Sequence, residues 1–170
     1  MITHSELLAR LHYNPLTGVW TWLPCNSRQK RWNTRYANKT AGVVGKLYGY
    51  RTISINKRPY KSSRLAWFYM TGEWPAELVD HRDRDRLNDR WENLREATRL
   101  ENLHNSSVKQ NSVSGIKGVR FRKNRWEAVI RVDGKRVYLG RFHTPYEAEV
   151  AYNTAAMSHH GRFFLGGKGA

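Results

Sequence analysis

Between Val79 and Asn105 the sequence VDHRDRDRLNDRWENLREATRLENLHN sets a carboxylate beside an imidazole, Asp80 and His81, and follows them with Asn93, Asn102, His104 and Asn105. A hard divalent ion such as magnesium takes oxygen ligands and keeps several waters. The Asp80 carboxylate and the Asn102 amide carbonyl, with a substrate phosphate, would therefore complete its shell. Histidine titrates near neutrality, which suits His81 to take a proton from an attacking water. The other reading is a chance Asp-His dipeptide in a charged loop, and these residues alone leave both open.

The elements that must position these groups are short. Leu78 and Val79 end an apolar strand that delivers Asp80 and His81, while Arg82 to Asp89 carries too many charges for a core and reads as a surface loop. Leu94 to Ala97 forms a second strand. Thr98 with Glu101 makes a capping box, so a helix starts at about Arg99 and sets Asn102 and Asn105, three apart, on one face.

This segment resembles the ββα-metal motif of the HNH endonucleases, in the branch written DH-(loop)-N-x-x-NLR-x-(V/A)-T-x-x-x-N-x-x-N. Asp80, His81, Asn88, Asn93-Leu94-Arg95, Thr98, Asn102 and Asn105 carry the match. The resemblance implies His81 as general base, Asp80 and Asn102 as metal ligands, and Asn93 as the asparagine that pins the loop holding His81. His104 and Asn105 match the tail of the motif and are either supporting residues or solvated helix positions. The third letter of the motif is Asn102 rather than histidine, a weaker ligand.

Thirty Lys and Arg against 14 Asp and Glu give a net charge of +16 and a pI near 10.4, which points to a polyanionic partner. Nucleic acid fits better than a membrane surface, since no segment approaches 18 apolar residues. Cys25 is the sole cysteine, which excludes an internal disulfide and a Cys-cluster zinc site, so no structural zinc is expected. The N-terminus lacks the apolar core of a signal peptide, and the expectation is a cytoplasmic protein that is not secreted.

Thr3 and Glu6 form another capping box before a stripe of Leu7, Leu8 and Leu11, ahead of the turn Asn14 to Gly18 and a Trp-rich strand from Val19 to Leu23. Cys25 to Lys39, with Arg28, Lys30, Arg31 and Arg35, has no period and reads as a surface loop. Gly49 to Ile55 and Arg58 to Ser62 read as strands around Asn56-Lys57, and Arg64 to Met70 as a helix ending near Gly72. YNPLTG and RLAWFYMTGEWP also resemble the N-terminal part of the same nuclease branch, except that Ser63 stands where relatives usually have histidine.

Ser106 to Ser114 has no large side chains except Val and Lys and reads as a linker, giving domains at 1–107 and 115–170 with residues 108–114 between them. Residues 1–107 hold 18 basic and 10 acidic groups and residues 108–170 hold 12 and 4, so the second piece is the denser cation. Gly118 to Arg122, Arg125 to Val132 and Arg136 to Gly140 read as three strands, the last two joined by an Asp133-Gly134 hairpin turn. Period two puts Val119, Phe121, Ala128, Ile130, Val137 and Leu139 on one face and Arg120, Arg122, Val129, Arg131, Arg136 and Tyr138 on the other. Thr144-Pro145-x-Glu147 then opens a helix that ends at Gly161.

GVRFRKNRWEAVIR, KRVYLGRF and TPYEAEVAYNTAA resemble the DNA-binding domain of plant ethylene-response factors, the AP-two type. That resemblance implies a sheet entering the major groove, with Lys117, Arg120, Arg122, Arg131, Arg136 and Tyr138 at the DNA. Val129 stands where relatives often carry Glu, so base preference does not transfer.

The expected fold is α+β: an HNH ββα-metal domain followed by a three-stranded antiparallel sheet packed on one helix. The leading function is a magnesium- or manganese-dependent endonuclease of the phage homing or free-standing type. It is expected to act on double-stranded DNA as a monomer, with no membrane partner and no small-molecule cofactor. A DNA-binding regulator with a catalytically silent HNH remnant stays open, as does an RNA-binding basic protein, although A-form RNA hides the groove such a sheet would enter.

Overall fold

The computed structural model describes residues 1–25, 30–46, 49–106, 108 and 112–164. They form two compact units, Met1–Ala97 and Thr98–Ala170.

In the first unit the Thr3/Glu6 capping box opens α1 (His4–Arg10). Leu11 is already extended and starts β1 (Leu11–Asn14), which pairs antiparallel with β2 (Val19–Trp22). The expected helical stripe therefore divides: Leu7 and Leu11 are buried from helix and strand, and Leu8 is exposed. The stretch expected as a loop contains α2 (Lys30–Tyr36), where Trp32 meets Trp22 edge to face. Arg28 lies outside the described residues.

A three-stranded sheet follows, in the order β3 (Val43–Val44), β4 (Arg51–Ile55), β5 (Arg58–Lys61). Asn56 and Lys57 both take positive φ in the two-residue turn. Helix α3 (Ser62–Thr71) begins two residues earlier than expected and ends at left-handed Gly72. The pair β6 (Leu78–His81) and β7 (Leu94–Ala97) completes the unit. Its core gathers Leu7, Leu11, Tyr13, Trp20, Ile53, Leu65, Phe68 and Leu94. Burial of each large apolar side chain contributes about 1.5 to 3 kcal/mol.

The second unit begins with α4 (Arg99–His104), opened by the Thr98/Glu101 box. Its sheet runs β8 (Val119–Arg122), β9 (Arg125–Val132), β10 (Lys135–Phe142), and α5 (Pro145–His160) packs on it. Ile116, Val119, Ala128, Ile130, Ala148, Tyr152 and Ala156 form the core. Gly118 has φ +72°, and a side chain there would meet the Tyr152 ring at 2.2 Å.

The division falls between Ala97 and Thr98, ahead of the boundary expected near residue 107, because α4 packs with the second unit. The Lys117 ammonium donates to the carbonyls of Leu103, His104 and Ser106 at 3.2, 2.7 and 2.9 Å, and the His104 ring stacks on His160 with centroids 3.6 Å apart. Of the expected linker, residues 107 and 109–111 lie outside the described residues. Among the described residues no helix is long and apolar enough to cross a membrane.

Candidate active site

The β6–β7 register sets Asp80 opposite Arg95 and His81 opposite Leu94, so the two groups leave adjacent positions of one short strand. His81 is only 4% exposed, and its Nε2 lies 3.0 Å from Asp89 Oδ1. Asp89 is more deeply buried still, at 1%. Its Oδ2 accepts the Ser62 hydroxyl from the first turn of α3, and its backbone carbonyl accepts the Tyr13 hydroxyl at 2.5 Å. Burial, and next the Asp89 charge, push the Tyr13 pKa well above the ordinary tyrosine range, which keeps that hydroxyl a donor.

The turn between β1 and β2 backs this arrangement. Gly18, at φ +71°, leaves no room for a side chain: a Cβ there would meet the Asp89 carbonyl carbon at 2.6 Å. The Trp91 amide donates to Pro15 O at 2.9 Å. Asp89 is therefore a site residue that the loop reading of Arg82 to Asp89 misses. The charge of its neighbours hides it, and the partners that bury it come from α3 and the first hairpin.

Asn93 is 7% exposed and ties the loop after His81 to itself. Its Nδ2 donates to Asp83 Oδ1 at 2.9 Å and to Asn88 O at 2.7 Å, and its Oδ1 accepts the Asp83 amide at 3.0 Å. For Asp83, burial opposes the charged form, but hydrogen bonds from Asn88, Asn93 and the Asp85 amide outweigh it. They hold the carboxyl below the usual aspartate value.

Asp80, also buried, accepts a hydrogen bond from Arg95 Nε on Oδ2 at 2.8 Å, and Arg95 Nη2 forms an ion pair with the same oxygen at 2.7 Å. Asn102 stands exposed on α4, in the second unit, and Asn105 is the buried C-cap of that helix. His104 Nε2 is buried without a hydrogen-bond partner, and burial, then the Lys117 charge, lower its pKa. Among the described residues no three His, Cys, Asp or Glu side chains gather to hold a metal. The oxygen donors of Asp80 and Asn102 are nevertheless of the kind that magnesium, which keeps most of its waters, accepts.

The open face of the second unit's sheet holds Arg120, Arg122, Arg131, Arg136 and Tyr138, all exposed. Lys117 is not among them, since it precedes β8 and caps α4. The register adds Arg125 and Arg141 to that face, with Glu127 at its centre. Glu127 is 2% exposed and accepts Arg120 Nη2 at 2.9 Å and Arg141 Nε at 3.0 Å.

Residues 60–104 match the family model described as HNH endonuclease. Over 86 residues the chain is 34% identical to "Protein 3.8" of Escherichia phage T7, an alignment covering 47% of this chain and 71% of that protein. The chain belongs to the HNH endonuclease family. A solved structure titled "DNA binding and cleavage by the HNH homing endonuclease I-HmuI" is similar over 88% of this chain and 76% of that one, with TM-score 0.42 and 20% identity. In this HNH protein the matched segment runs from Tyr60 through α3 and the β6–β7 pair to His104. It thus contains His81, Asp89, Ser62 and Asn93, and it stops short of the arginine-bearing sheet.

Proposed function

We propose that this HNH protein is a metal-dependent endonuclease that hydrolyses phosphodiester bonds in double-stranded DNA. The observation that carries the reading is the buried His81–Asp89 pair, inside the segment that matches the family model. His81 takes the proton of the attacking water. Asp89 holds the ring and faces the charge that develops on it, and Asn93 fixes the loop that joins them. Asp80 and Asn102, by their oxygen chemistry and motif positions, would hold a divalent ion, which would supply positive charge to the phosphate under attack.

The C-terminal sheet binds the target in the major groove through Arg120, Arg122, Arg131, Arg136 and Tyr138, as an AP-two type domain would. Arginine forks suit both phosphates and guanine edges there. The protein acts as a monomer in the cytoplasm, as a phage homing or free-standing nuclease.

Supercoiled plasmid incubated with magnesium or manganese, with and without chelator, tests the activity. The expected result is metal-dependent nicking or linearisation that His81→Ala lowers about 10²- to 10⁴-fold while DNA affinity stays within about twofold. Tight binding with no cleavage under either metal would instead identify a DNA-binding regulator with a silent HNH unit.

A further inference from the structure

Beside His81 lies a group of cations that the reaction described above does not use. The Tyr50 ring sits 6.2 Å from the His81 ring, centroid to centroid. Lys61 Nζ lies 4.1 Å from the centre of that Tyr50 ring, and Arg86 Cζ lies 5.1 Å from it. Both cations are exposed. Burial, and next the charges of Arg64 and Arg86, lower the Lys61 pKa. Like charges gathered on one face are an arrangement that an anion relieves.

The connectivity ties this cluster to the chemistry. Lys61 is the last residue of β5, and the next residue, Ser62, places its hydroxyl on Asp89, which holds His81. One peptide link and two hydrogen bonds therefore connect the residue that carries the exposed ammonium to the base.

We propose that Lys61 and Arg86, gathered over the Tyr50 ring, form a subsite for one backbone phosphate of the strand that is cut. Lysine serves it as a point charge and arginine as a two-pronged donor, and the tyrosine ring keeps both stems in place. The subsite rests on the nuclease reading: it holds the strand so that the neighbouring linkage reaches His81. Lys61 and Arg86 are positioning residues.

Two measurements on the full chain test this. In the first, affinity for a DNA duplex is followed against salt in a His81→Gln background, so that the DNA stays intact. Each phosphate contact adds about −0.9 to the slope of log K on log salt. Lys61→Met, which keeps the aliphatic stem, and Arg86→Ala should each make the slope shallower by about 0.9, and Lys61→Arg should restore it. An unchanged slope in Lys61→Met overturns the subsite, and a lowered melting temperature with an unchanged slope would show that the cluster is structural.

In the second, a neutral methylphosphonate is stepped along the strand beside the cut. One position should weaken binding by the wild-type chain and leave binding by Lys61→Met unaffected. Equal weakening in both proteins at every position also overturns the subsite. The salt arm does not need cleavage, so loss of the nuclease reading and loss of the subsite are read separately.

Discussion

Replacing Asp89 by Asn separates the role of its charge from the role of its volume. The carboxylate is 1% exposed and engages His81 Nε2 at 3.0 Å and the Ser62 hydroxyl. Asp89→Ala would leave both groups buried without that partner, at about 1 to 3 kcal/mol each. The sum, about 2 to 6 kcal/mol, is a large share of the 5 to 15 kcal/mol typical of a domain, so a fall in activity would be confounded by unfolding. Asp89→Asn keeps the shape. Its amide can accept from one neighbour and donate to the Ser62 oxygen, so the expected destabilisation is about 1 kcal/mol. What it removes is the negative charge facing the imidazolium, and the cleavage step should slow about 10²- to 10⁴-fold. The assay is single-turnover cleavage of a plasmid at saturating protein, with melting curves for both proteins and Glu92→Gln as an exposed control in the same segment. A folded Asp89→Asn protein cleaving within twofold of wild type would refute the claim that His81 works through Asp89.

Two other outcomes are open to measurement. Burial, then the charges of His104 and Lys117, hold the His160 pKa down to about 4 against an ordinary value near 6.5. The unfolded chain therefore binds this proton first: the stability is present above about pH 6.5 and is lost as pH falls toward 4. Hydrogen exchange of α5 amides between pH 7 and pH 4.5 should show that loss, and His160→Gln should flatten it; identical pH profiles would count against the assignment. For Glu127→Gln, release of Arg120 and Arg141 should raise non-specific DNA affinity and steepen its salt dependence. Discrimination at the affected base pairs should fall about tenfold, read by selection from a randomised library; unchanged selection would show that those two arginines do not read bases.

What could be read from the chain without its structure follows the range of the interactions involved. Three capping boxes, at Thr3, Thr98 and Thr144, each satisfy free helix amides within four residues, and all three open helices where the pattern places them. The strand pair that delivers Asp80 and His81 is also short in range, since Leu78 to His81 pairs with Leu94 to Ala97 within 20 residues of chain. Asp89 is the opposite case. It sits in a run of arginines and aspartates whose composition says solvent. What buries it is Tyr13, 76 residues away in sequence, with Ser62, 27 away, and a glycine turn. Leu11 fails locally for a related reason: its spacing from Leu7 fits a helix, but pairing with Trp22 makes it a strand residue.

The arginine face shows a subtler limit, because one residue changes the phase of an otherwise correct pattern. Continued period two from Tyr138 would put Gly140 on the open side and Arg141 toward the core. The register instead shifts between Tyr138 and Gly140, where Gly140 takes φ +135°, and an extra residue there returns Arg141 to the open face opposite Glu127. That shift gives Glu127 two guanidiniums rather than one, and burial sets the carboxylate firmly between them. An arginine already held by a buried carboxylate has lost much of its side-chain freedom before DNA arrives, so less is lost on binding. Arg120 and Arg141 are therefore suited to fixed contacts with base edges, although Glu127 cancels one of their charges. If the sheet binds DNA as proposed, the net positive field that draws it in comes from the others on the face, Arg122, Arg125, Arg131 and Arg136, and the bulge at Gly140 is what divides the two roles.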